Sequence, residues 1–143
     1  EAKGKIHIDA WQKITQVEDY TIEVVSKETE VEGSEKLFFL NLGGYKEGDF
    51  EKYHYKVLVV AKTKSEAIKK AKKTTFFQHV GFKGGGETHI DDKYGVDVDD
   101  IHKIDDILDV QYKLNYQLKI TKTDTLSTDE KHIGYIALTK LKK

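Results

Sequence analysis

No cysteine, proline, methionine or arginine occurs in these 143 residues. Without cysteine the chain forms no disulfide, builds no thiolate zinc site and offers no cysteine nucleophile. Without arginine, all 24 basic residues are lysine. Lysine supplies charge but not the planar fork that grips phosphate, carboxylate or guanine edges in pairs. Specific nucleic-acid reading is therefore disfavoured. The balance of 24 basic against 25 acidic side chains also argues against a polyanionic partner. No apolar run approaches the ~18 residues of a membrane helix, and no signal-peptide pattern is visible. The expected setting is cytoplasmic, with no membrane partner. With no methionine present, residue 1 is not expected to be the natural start.

What the chain does have is aromatic bulk, with one Trp, eight Tyr and six Phe, enough for the core of one domain. It also contains the tripeptide His-Ile-Asp twice, at His7-Ile8-Asp9 and His89-Ile90-Asp91. Each copy leads into apolar residues three apart: Ile14, Val17 and Tyr20 after the first, Val98, Ile101 and Ile104 after the second. This pattern suggests an internal repeat whose first copy is cut short at its N-terminal side. The expected division is 1–26 as the tail of a first repeat, 36–109 as a complete second repeat, and 110–143 as C-terminal strands packing on the second repeat.

Residues 5–25 alternate like short strands, and 26–36 are poor in apolar side chains and fit a linker. Leu37 to Leu42 is a short run, apolar but for Asn41, the pattern of a strand covered on both faces, and Tyr53 to Ala61 fits its antiparallel partner. Thr63-Lys-Ser-Glu66 is a capping box opening a helix to about Phe77. Its buried stripe is Ala67, Ile68, Ala71 and Thr75, extended by Phe76; Lys69, Lys70, Lys72 and Lys73 lie mostly to the other side. Gly81 to Gly86 reads as a flexible connector. Tyr116 to Thr121 and His132 to Thr139 are expected to pair as a C-terminal β-hairpin. The fold class is α+β: a mainly antiparallel sheet with a helix packed on one face in a β-β-α-β unit, plus the partial repeat.

Three segments, Leu42 to His54, Ser65 to Lys72 and His89 to Asp100, resemble a bacterial family of unknown function built from two tandem copies of a small α+β unit. Gly4 to Trp11 is similar to the end of that family's first repeat. The resemblance covers roughly residues 3–108 and implies the truncated first copy but no activity.

Glu51, His54, His89 and Asp91 are the polar candidates for a ligand site, with His7 and Asp9 as first-repeat equivalents. A His-carboxylate cluster can hold a ligand or divalent cation, act as a general base with an orienting acid, or serve as a structural hydrogen-bond network. The network is favoured, because the spacing fixes no ligand set. No catalytic residue, metal or cofactor is assigned. Eight Asp between Asp91 and Asp109 do not follow the spacing of a calcium loop and read as a solvated strand face with Asp turns. The glycines of 81–86 follow a helix rather than open one, which is the wrong order for a phosphate cradle. The expected function is a non-catalytic interaction or oligomerisation module, associating with itself or with another protein through an open strand edge. Small-ligand or divalent-metal binding by the His-carboxylate cluster is the alternative, and nucleic-acid binding by the lysine helix the third reading.

Overall fold

A computed structural model describes residues 7–45, 50–73, 97–125 and 127–137. The described chain is α+β, in the order β1 (His7–Gln12), β2 (Gln16–Val17), β3 (Tyr20–Ser26), β4 (Lys36–Tyr45), β5 (Lys52–Ala61), α1 (Lys64–Ala71), β6 (Asp97–Lys103), α2 (Ile104–Ile107), α3 (Val110–Asn115), β7 (Tyr116–Lys122) and β8 (Lys131–Ala137).

The central sheet has the order β5-β4-β6, with β4 antiparallel to both neighbours. The flanking strands therefore run parallel, and α1 lies on the path between them. Alternation along β4 and β5 sorts their side chains onto two faces. Phe38, Leu40, Leu42, Val59 and Ala61 pack with Ala67 and Ala71 of α1. Both alanines are fully buried, so the helix backbone sits close to the sheet. Leu37 and Val60, on the other face, pack with Val17 and Ile22, joined by Leu118 and Ile120. The apolar run is thus covered on both sides, as its composition predicts. The described layers are α1, the central sheet, and a second sheet ordered β2-β3-β7.

The capping box forms with one change. Thr63 Oγ1 accepts from the Glu66 amide at 3.2 Å, while Glu66 Oε2 accepts from the Lys62 amide at 3.0 Å, one residue earlier than the motif predicts. Residues 74–96, including Thr75, Phe76 and the glycine connector, lie outside the described residues. Lys70 is not on the free face expected of it. Its ammonium donates to the Val60 carbonyl at 2.7 Å and lies 3.6 Å from Glu18 Oε2. Burial pushes the Glu18 carboxyl above its ordinary value, against the pull of Lys70.

The two C-terminal strands form but take separate partners. β7 pairs with β3 along its whole length, and β8 pairs with β1. The expected pairing between them is therefore replaced, and β7 and β8 join the N-terminal strands, with Leu118 and Ile120 of β7 packing on the central sheet as well. The connection explains why. Thr123 N donates to the Asp19 carbonyl, Gln16 Nε2 to the Thr125 carbonyl, and Ser127 N to Gln16 Oε1. Thr15 and Gln16 then donate to Asp129. The chain passes round the β2–β3 turn and emerges beside β1. The last described strand thus lies beside the first, in a two-stranded sheet of its own, separate from β2-β3-β7.

The two segments aligned as repeats differ in path where both are described. Residues 97–103 form one strand of the central sheet, whereas their counterparts 13–19 are a loop, a two-residue strand and a turn with Glu18 at φ 54°.

Candidate functional site

Lys52 and His54 are two apart on β5 and share the sheet face that carries Asn41 and Gly43 on β4. On β6 the register slips: Asp100 pairs with Asn41 and Val98 with Leu42, which leaves Asp99 as the extra residue of a β-bulge. The bulge turns Asp99 toward the β5 pair. Lys52 Nζ lies 2.6 Å from Asp99 Oδ1, and His54 Nε2 lies 3.0 Å from Oδ2. The second approach is at ion-pair distance without hydrogen-bond geometry, so Asp99 Oδ2 and Asn41 Oδ1 are both buried without a hydrogen bond. Gly43 makes the room. A side-chain carbon there would collide with Lys52 Cε and come within 2.5 Å of Asp99 Oδ2.

Of the four candidates, His54 belongs to this cluster. Glu51 is exposed in the bend before β5, and His89 and Asp91 lie outside the described residues. Sequence reasoning missed Lys52 and Asp99. The alternation of Lys52 and His54 opposite a glycine was a usable signal, but the bulge that selects Asp99 from the acidic tract leaves none. Other members of that tract serve the architecture: Asp109 caps α3 by accepting from the Gln111 amide at 3.1 Å, and Asp106 pairs with Lys103 at 3.0 Å. Among the described residues, no three His, Asp or Glu converge as a metal site. The cluster is a carboxylate neutralised by an ammonium, with an imidazole alongside. Such a group can orient a polar partner or exchange a proton.

His7 and Asp9 do meet, at 3.0 Å, on a different feature. β1 and β8 form a two-stranded ribbon beyond the layered core. Gly134, at φ 147°, and Tyr135 stand opposite Asp9 in a bulge of β8. One face stacks His132 on Trp11, with centroids 3.9 Å apart and planes at 13°, and tilts His7 against Tyr135 at 4.6 Å. The other face carries Ile8, Ala10, Ile133 and Ile136. Ile133 is 86% exposed and Tyr135 66%.

No protein-family model, curated protein or solved structure matches this chain. Among the described residues no helix is long and apolar enough to cross a membrane.

Proposed function

We propose that this chain is a non-catalytic interaction module that associates with a second copy of itself through the β1–β8 ribbon. The exposure of Ile133 carries the reading. A two-stranded ribbon is marginal in water on its own, and this one holds large apolar and aromatic side chains away from any core. Stacking two ribbons would bury Ile133 with Ala10 and Ile136. Light scattering over a wide concentration range tests it. The mass should rise with concentration, and Ile133→Lys should return the chain to monomer, with a thermal melt equal to that of the natural chain diluted below its association range. A chain that stays monomeric at millimolar concentration sinks the proposal.

A second reading is favoured by one observation, the unsatisfied Asp99 Oδ2 beside His54 and the unsatisfied Asn41 Oδ1 on the same sheet face. Two buried acceptors without donors suit a small ligand carrying an amine or hydroxyl group, or a divalent cation. Titrating small amines and Mg²⁺ while recording the His54 imidazole resonances checks it. Resonances unmoved by every addition, in the natural chain as in Asp99→Asn, count against it.

A further inference from the structure

We infer that the free edge of β7 is a docking site for an extended, lysine- or arginine-bearing segment of a partner polypeptide, added as one more strand. The ladder with β3 fixes which backbone groups are free. Residues of the two strands pair as Tyr20 with Lys122, Ile22 with Ile120 and Val24 with Leu118. Hydrogen bonds at both ends of the ladder, Lys27 N to the Asn115 carbonyl and Thr123 N to the Asp19 carbonyl, link residues of odd number, each 2.8 Å long. Alternation then directs the amides of Gln117, Lys119 and Thr121 toward β3. Those of Leu118, Ile120 and Lys122 point the other way. β7 is terminal in its sheet, and among the described residues no strand pairs with that edge.

The edge does not face open solvent directly. It borders a cleft of about 580 Å³, whose other wall is the segment carrying Glu30, Glu32 and Glu35. Consecutive β7 residues from Lys119 to Lys122, whose side chains alternate between the two faces, line the cleft with Tyr20 of β3, so it reaches the strand edge and continues over the face that Tyr20 shares with Lys122. The charges in it are unevenly committed. Lys119 lies 3.5 Å from Glu23 and Lys122 3.4 Å from Asp19, partners outside the cleft. Glu35 has Lys62 at 3.9 Å and accepts from the Ser34 amide. Glu30 and Glu32 are exposed and have no ion pair among the described residues. An incoming strand therefore meets backbone donors and acceptors on one side and net negative charge on the other. Main-chain pairing supplies affinity in this mode, and side chains select the partner, here by positive charge. This surface is separate from the ribbon, so the two proposals stand or fall independently.

The probe is an end-capped, fluorescently labelled peptide of alternating lysine and valine, followed by anisotropy at low salt. The expected result is saturable binding to the natural chain. A Glu30→Lys, Glu32→Lys double variant should weaken it about tenfold or more. Lys122→Pro, which removes one outward amide but none directed to β3, should weaken it as well. The same peptide N-methylated at alternate residues should fail to bind, because its charge is kept while its strand pairing is blocked. Equal binding of the N-methylated peptide overturns the proposal, since charge alone would then suffice. So does equal binding of a glutamate–valine peptide, or no binding at millimolar concentration. Ile133→Lys should leave the peptide affinity unchanged, which separates this test from that of self-association.

Discussion

Asp129 does more for the chain path than its place in a polar loop suggests. Its carboxylate accepts from the Thr15 amide at 3.0 Å, from the Thr15 hydroxyl and, at 3.4 Å, from the Gln16 amide, which lie more than a hundred residues earlier. Partial burial alone would raise its pKa. The hydrogen bonds from Thr15, Gln16 and the Gln12 side chain outweigh that and hold it below the ordinary aspartate value. A lowered folded value means the unfolded chain binds the proton more readily. The contribution to stability is therefore full above the ordinary value of 3.8 and is lost as pH falls through the lowered one. Asp129→Asn should cost about 1–3 kcal/mol at neutral pH, the usual worth of hydrogen bonds to a charged group. Urea unfolding at neutral pH and at pH about 3 checks this, because the difference should narrow in acid. Neither Asp129 nor Asp99 was legible from sequence: each is chosen by a partner far along the chain, one across a loop crossing and one through a bulge. His54 stood out in the sequence for following the Gly43-Gly44 loop, and the chain brings it to Asp99, a partner the sequence did not mark.

The β1–β8 ribbon is held by two cross-strand stacks. His132 of β8 lies on Trp11 of β1, and His7 of β1 lies against Tyr135 of β8. Each imidazole also has a carboxylate close in sequence, Glu130 at 3.6 Å and Asp9 at 3.0 Å. Trp11 is the sole tryptophan, so its emission reports this stack alone. His132→Gln should change the indole emission, because it removes the ring stacked on Trp11, and His7→Gln should not. Identical emission from all three proteins would show that the stack does not persist in solution. The strands themselves were legible from alternation. Their pairing was not, because a period of two says which side chains share a face and nothing about which strand lies alongside.

Across the whole molecule, stability should follow the layers. Leu40 and Leu42 are fully buried where α1 meets the central sheet, and Ile22 closes the opposite face with Leu37 and Val60. The short apolar run from Leu37 to Leu42, broken by Asn41 alone, announced this doubly covered strand, and the capping box announced the helix that covers one side. The second cover came from segments at opposite ends of the chain, β3 and β7, whose register no local pattern encodes. A core fed from both termini predicts cooperative loss of all three layers when either face is opened, with the ribbon released early. Leu40→Ala should cost about 2–5 kcal/mol, the range for emptying a well-packed leucine site. Ile133→Ser, on the ribbon, should change stability by less than about 0.5 kcal/mol. Urea unfolding followed by far-ultraviolet dichroism, with amide exchange of β4 and β8 in parallel, measures both. The β4 amides should exchange only through global unfolding and the β8 amides through local opening. Equal protection of β4 and β8 would mean that the ribbon is tied into the core by contacts beyond those described.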